Sequence, residues 1–419
     1  MVKNILVLAE TLDLESSSAG KASNAMISAL IESGFLVKVY HYSHKEVQFL
    51  NTSTILIKER KRDPFYYLSR FQRVYQRITR TNVSERLEHY FGFSFTFIND
   101  VNSMVAILKN ENPTSYDLVI TLSKGASYRT HAALLKLPQW HNKWLAYIHD
   151  PYPFHWYPSP YEWKEAGFKQ KECFFIEVAH KSRWLGYPSQ KLGEWMGQFN
   201  ELFLKKAVLL PHQMPSEKIQ KTPLESSFQI DKFTILHAGN LLAQRDPFPL
   251  LEAWNNFLKE VPEAVDSSQL FLIGSASYHQ PKLSKICELI SSVHLSAEYV
   301  SYARALSLEA SASANIILEA VSDISPFLPA KFPSLVMANR PLLHLGPRNS
   351  ESRRLLGVDY KFSVEADDIL GITCLLKKCY TEWKHSPDKF CLNRPDLESY
   401  FSSSHLADVI SYICENPLE

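Results

Sequence analysis

The sequence predicts an α/β protein made of two Rossmann-like domains, each a doubly wound parallel sheet. Three observations lead there. Short, continuously apolar runs alternate with segments of helical spacing through nearly all of the 419 residues, the pattern of strands covered on both faces. The alternation breaks over 211–232 (PHQMPSEKIQKTPLESSFQIDK), where the chain turns polar, proline-containing and weakly periodic, and then restarts. Glycine is scarce, at 13 residues. Even so, Gly125, Gly239, Gly274 and Gly346 fall at or just after the ends of expected strands, the edge at which a doubly wound sheet binds its ligands.

In the first half the expected strands are 4–9 (NILVLA), 36–42 (LVKVYHY), 54–58, 117–122 (DLVITL), 144–149 (WLAYIH) and 207–211 (AVLLP). Between the first two, Ala22, Ala25, Met26, Ala29 and Leu30 recur at helical spacing, and Gly34 follows as a stop. After the break come 233–238 (FTILHA), 269–273 (QLFLI), 298–302, 315–318 and 341–345 (PLLHL). The expected domains are residues 1–212 and 213–387, with a tail 388–419. Helical spacing at Leu406, Val409, Ile410 and Ile413 lets that tail cross back onto either half.

Composition narrows the function. With 45 basic and 44 acidic residues, the chain lacks the charge excess that a nucleic-acid partner calls for. No apolar run approaches the length of a membrane span, and Met1-Val2-Lys3-Asn4 leads straight into a strand rather than a signal peptide. The six cysteines show no Cys-x-x-Cys pairing and read as reduced thiols, so a cytoplasmic location is expected. A metal site is not expected, since Asp-x-Asp and His-x-x-x-His are absent. The lack of Gly-x-Ser-x-Gly and Gly-x-Gly-x-x-Gly argues against a serine hydrolase and a dinucleotide cofactor.

Two stretches of the second half carry chemistry. In ILHAGNLLAQRDPFPLLEAW (235–254) a strand ends at Gly239, a loop carries Asn240 and Arg245, and a helix opens at Asp246-Pro247. An arginine just ahead of a helix N-terminus is a phosphate-binding arrangement, or else a surface residue beside a cap. In SPFLPAKFPSL (325–335), Lys331 lies among Pro326, Pro329 and Pro333, which stiffen the backbone around it. It is either a fixed cation for an anion or a solvated loop lysine.

Together these stretches resemble the donor-binding half of family 4 glycosyltransferases of the GT-B fold. That resemblance implies two Rossmann-like domains facing across a cleft, with the donor mostly on the C-terminal domain and the acceptor approaching from the N-terminal one. By position, Gly239 matches the loop glycine, Arg245 replaces the diphosphate-binding lysine, and Lys331 matches the lysine of the second motif. Asn240 stands where arginine is frequent. Pro326 and Ser334 stand where many members carry two glutamates, the second of which bonds the ribose. The implied donor-binding set is thus Gly239, Asn240, Arg245, Lys331 and Ser334, with no cofactor and no metal.

In the first half, WLAYIHDPYPFHWYPSPYEW (144–163) is dense in aromatics. The resemblance gives His149 a place beside the donor's anomeric carbon, with Asp150 orienting its imidazole or meeting positive charge on the sugar. A satisfied structural histidine is the alternative. Tyr152, Phe154, Trp156, Tyr157, Tyr161 and Trp163 are rings on which a sugar acceptor can stack. Residues 58–80 hold eight basic and two acidic residues. The pattern from Pro64 is helical, with Arg70, Arg73, Arg77 and Arg80 on one side and Tyr67, Phe71, Val74, Tyr75 and Ile78 on another. This is either an interfacial helix or basic acceptor rim, or a surface helix whose apolar side lies in the core.

The leading expectation is a retaining glycosyltransferase moving a sugar from a nucleotide donor to a glycan or lipid-linked acceptor. It would be cytoplasmic, peripheral on the inner face of an anionic membrane, and would take part in polysaccharide biosynthesis. A GT-B epimerase and a non-catalytic sugar-nucleotide-binding or scaffolding protein are the alternatives.

Overall fold

The computed structural model describes residues 3–15, 17–50, 52–216, 227–296 and 300–416. The chain forms two compact units. Unit 1 comprises residues up to 157, 161–213 and 401 onward; unit 2 comprises 158–160 and 214–400.

Unit 1 is built on β1 (Asn4–Ala9), β2 (Leu36–His41), β3 (Ser53–Leu56), β4 (Leu118–Leu122), β5 (Trp144–Tyr147), β6 (Trp184–Tyr187) and β7 (Ala207–Leu209). They lie in the order β3-β2-β1-β4-β5-β6-β7, with parallel neighbours throughout. Burial explains the uniform apolarity of the central strands: every residue of β4 is buried. The Ser18–Glu32 helix starts where the Ser17 hydroxyl accepts from Gly20 N, and packs Met26, Ile27 and Leu30 on the sheet.

The Ser403–Glu415 helix also belongs to unit 1. Leu406, Ile410 and Ile413 enter the same cluster as Ile5, Val7 and Leu30, and Ser33 Oγ donates to the Ser403 carbonyl at 2.8 Å. The tail therefore divides, because the Pro395–Tyr400 helix stays with unit 2.

Unit 2 holds β8 (Phe233–Ala238), β9 (Ser268–Ile273), β10 (Val293–Leu295), β11 (Ala314–Leu318), β12 (Leu342–Leu345) and β13 (Ser363–Val364). Their order is β10-β9-β8-β11-β12-β13, again parallel. Trp254 and Phe257 of the Phe248–Glu260 helix join Leu376 and Tyr380 of the Ile369–His385 helix in its core. Each sheet reverses its winding once, between β1 and β4 and between β8 and β11. Ligand crevices open at such switch points, beyond the carboxyl ends of the strands.

Several sequence expectations need correction. The expected strand 298–302 falls in part on residues 297–299, which lie outside the described set; of the rest, Ser301 caps a helix that Tyr302 opens, and the strand described nearby is β10. Within the expected break, 217–226 likewise lie outside it. The sequence did not signal β6 or β13, which are four and two residues long. The Pro64–Thr79 helix does not turn its apolar side to the core, since Ser69 is its buried residue.

Candidate functional site

In unit 2 the ladder between β8 and β11 ends at the Leu236–Asn315 pair. Beyond it a side chain occupies the opening. Lys331 Nζ donates to the Ile316 carbonyl at 2.9 Å and lies 3.4 Å from His237 Nδ1. The proline-rich segment delivers it there: Phe332 N donates to the Pro329 carbonyl at 2.8 Å, and Lys331 caps the short Phe332–Met337 helix. The amine thus sits at the switch point of the sheet.

Its surroundings discourage charge. Burial pushes the Lys331 pKa down to about 7; Glu309 pulls it up, Arg245 pushes it further down, and Glu319 pulls it up. Burial, reinforced by Lys331 and Arg245, holds His237 neutral, well below the usual histidine range. Its Nε2 is enclosed and without a hydrogen-bond partner among the described residues. Arg245 Nε is enclosed and unpartnered in the same way. An enclosed amine whose charge a neighbouring guanidinium opposes, with donors left over, forms a site that an anion would relieve.

The backbone is close-set here. Gly239 N donates to the Ile273 carbonyl at 2.8 Å, and a Cβ on Gly239 would lie 3.6 Å from Lys331 Nζ. Gly274 has φ +118°, and a Cβ there would meet the Gly239 carbonyl oxygen at 2.6 Å, so the two strand ends approach this closely only with glycine. Asn240 is not a substitute cation. Its Oδ1 accepts from Ser275 N at 3.1 Å and ties the two loops together. Asp246 Oδ1 accepts from Phe248 N at 2.9 Å, starting the helix behind Arg245. Beyond β11, β12 and β13 on the same edge lies a recess of about 370 Å³, lined by Val321, Asp323, Arg348, Asn349 and Glu365 among others.

Ser334, which the resemblance makes a ribose ligand, is engaged within the protein. It is 4% exposed, and its hydroxyl donates to the Lys331 carbonyl at 2.8 Å. It braces the turn that carries Lys331. Beneath the site, Glu319 Oε1 accepts from His344 Nε2 at 3.0 Å, and His344 Nδ1 meets Ser363 Oγ at 2.7 Å.

In unit 1, His149 follows β5. Its ring stands edge-on to Tyr147 with centroids 4.7 Å apart. Nε2 is enclosed without a hydrogen-bond partner among the described residues. Burial, then His212 and His131, hold the imidazole neutral. Asp150 is fixed through its backbone, whose carbonyl accepts from Tyr128 OH. Gly125, φ +55°, brings the loop after β4 close enough that a Cβ would lie 3.8 Å from Asp150 Oδ2.

That loop is held by residues the sequence reading did not single out. Glu10, directly after β1, accepts from Lys124 N at 3.1 Å and from Ser127 Oγ. Arg129 bridges it to Asp100, at 2.7 Å from Glu10 and 3.0 Å from Asp100. A carboxylate closing an apolar strand was the available signal.

Tyr152 and Trp156, expected to stack on a sugar acceptor, lie packed in unit 1. They are 3% and 5% exposed. Tyr152 packs among Tyr128, Phe174 and Phe175, and Trp156 stacks on Phe199 at 4.6 Å. Of the rings in that stretch, Trp163 is the open one, 54% exposed and stacked on Phe154 at 5.0 Å. Arg70, Arg73 and Arg77 lie exposed on the Pro64–Thr79 helix.

No protein-family model and no curated protein matches the sequence. Solved structures do match its fold. A trehalose-6-phosphate synthase from E. coli bound with UDP-2-fluoro glucose aligns with TM-score 0.65 at 10% identity, covering 99% of each chain. The N-terminal domain of a Candida albicans trehalose-6-phosphate phosphatase gives 0.65 at 14%, covering 98% of this chain and 97% of that one. WaaG, a glycosyltransferase involved in lipopolysaccharide biosynthesis, gives 0.58 at 11% and 98% of each. The fold is therefore the two-Rossmann GT-B fold.

Proposed function

We propose that this chain is a nucleotide-sugar-dependent glycosyltransferase, similar to family 4, that transfers a sugar to a glycan or lipid-linked acceptor with retention. The observation that carries the reading is the Lys331 amine lodged where β8 and β11 part, beside the unpartnered Arg245 Nε. A diphosphate supplies an acceptor oxygen for Arg245 Nε and negative charge beside the Lys331 amine.

In this reading unit 2 holds the donor. The bond from the anomeric carbon to the diphosphate oxygen breaks, and one to the acceptor oxygen forms on the same face of the sugar. The acceptor's proton passes to the departing diphosphate, so no enzymic base is required. Lys331 and Arg245 offset the charge gathering on the leaving group. His149, neutral and with Nε2 unsatisfied, is suited to hydrogen-bond a sugar hydroxyl rather than to transfer a proton. Asp150 can face positive charge on the sugar ring. A lipid-linked acceptor fits a cytoplasmic enzyme at the inner face of a membrane, in polysaccharide biosynthesis.

Incubation with labelled nucleotide sugars tests this: one of them should release its nucleoside diphosphate, faster when acceptor is present. A second reading, a non-catalytic sugar-nucleotide-binding protein, is favoured by the engagement of Asn240 and Ser334 within the protein. Saturable binding of a sugar nucleotide with no release of diphosphate would select it.

A further inference from the structure

The Pro64–Thr79 helix is amphipathic in the reverse sense for a helix on a globular unit. Its inner side is polar. Ser69 is 2% exposed, and the Gln72 and Gln76 amides meet the Ser84 hydroxyl at 2.8 and 2.9 Å. Ile78 stands nine residues from Ser69, about two and a half helical turns, and so points the opposite way. It is 77% exposed, and beside it on that outward arc Tyr67, Phe71 and Val74 are 61%, 69% and 55% exposed. The sequence pattern identified which residues share a face. The structure shows that this face looks away from unit 1.

Charge lies along one side of this arc. Arg70 and Arg77 border it, while Arg73 reaches back to Ser69, its Nε 3.2 Å from the Ser69 carbonyl; residues 64–80 contain no acidic side chain, and Lys58, Arg60, Lys61 and Arg62 stand exposed just before the helix. Glu59 approaches Arg70 at 3.5 Å, a half-exposed pair that offsets little of the charge. The following Ser84–Phe91 helix adds Tyr90 and Phe91, 78% and 57% exposed. Phe91 packs on Phe95, centroids 5.8 Å apart, and Phe95 on Phe65 at 6.0 Å, which ties the two helices together from the inner side of the first.

We propose that the outward face of the Pro64–Thr79 helix, extended by Tyr90 and Phe91, docks unit 1 on an anionic lipid bilayer. A bilayer surface offers both halves of what this face presents: acyl boundary for Phe71, Val74 and Ile78, and anionic headgroups for the arginines. Tyr67 sits where amphipathic rings collect, between the two. A second copy of the chain is a poor occupant, because a two-fold interface centred here would oppose like arginines. A small anion is a poor occupant as well, because it leaves the apolar arc in water. The inference rests on the helix and not on the proposed reaction.

Sedimentation of the full chain with neutral and anionic phosphatidylglycerol-containing vesicles, without any nucleotide sugar, tests it apart from catalysis. The wild type should bind the anionic vesicles at low salt and be released as salt rises. Arg70→Gln/Arg73→Gln/Arg77→Gln should lower partitioning by about two orders of magnitude. Phe71→Ser/Ile78→Ser should abolish it while the circular dichroism spectrum is unchanged, since both side chains are mostly exposed. Indifference of the wild type to anionic vesicles at low salt would overturn the proposal. So would a concentration-dependent dimer that the Phe71→Ser/Ile78→Ser variant loses, which would make this face a contact between copies.

Discussion

In the proposed donor site an amine is enclosed beside a neutral histidine and a second cation, an arrangement that negative charge would relieve. In the free protein the Lys331 pKa is lowered from 10.5 to about 7. Between those values the unfolded chain carries a proton that the folded chain lacks, so stability of the ligand-free protein rises with pH across that window. A bound diphosphate favours the charged amine. Diphosphate affinity should therefore fall between pH 7 and about 9, with a proton taken up on binding. Titration calorimetry in buffers of different ionisation enthalpy counts that proton, and an affinity flat across the window with no uptake contradicts the site. Arg245→Ala should weaken nucleoside-diphosphate binding by about 1.5–3 kcal/mol, the worth of a charge-assisted hydrogen bond. In the proposed reaction His149 acts on the sugar and not on the diphosphate. His149→Ala should lower kcat well beyond any change in donor affinity, whereas equal losses in both would mark a structural histidine.

At the scale of elements, the approach of the β8 and β9 ends is the feature that brings loop and lysine together. Gly274→Ala combines an unfavourable φ with a contact against the Gly239 carbonyl, and should cost about 1–3 kcal/mol. Thermal unfolding reads that loss directly, and an unchanged melting temperature would mean the strand ends have room to move. Strands of this kind were legible in the sequence because both their faces are buried, which leaves an unbroken apolar run. Short β6 and β13 left no such run. The Pro64–Thr79 helix shows a different limit: periodicity says which residues share a face, but not whether that face meets the core. The burial of Tyr152 and Trp156 was illegible for a related reason, since an aromatic near a strand end looks the same in sequence whether it packs inward or outward. Glu10 and Arg129 are 119 positions apart, and a pairing across that distance leaves no local pattern. Lys331 was legible because its prolines are adjacent to it.

For the molecule as a whole, two units with separate cores are joined by a chain that crosses between them and returns. The returning Ser403–Glu415 helix completes the core of unit 1, so Ile410→Ala should destabilise that unit by about 2–5 kcal/mol. Affinity for nucleoside diphosphate, assigned to unit 2, should stay unchanged at temperatures where both units are folded. Calorimetric melting paired with ligand titration checks both halves of that statement, and parallel loss of stability and affinity would contradict the assignment of the donor to unit 2 alone. The most direct measurement is a calorimetric titration of the full chain with a panel of nucleoside diphosphates, run on the wild type and on Lys331→Ala. A diphosphate site at the parting of β8 and β11 predicts saturable binding of one of them, weakened about 10- to 150-fold by the substitution. No binding by any nucleoside diphosphate, or the same affinity in both proteins, would contradict it.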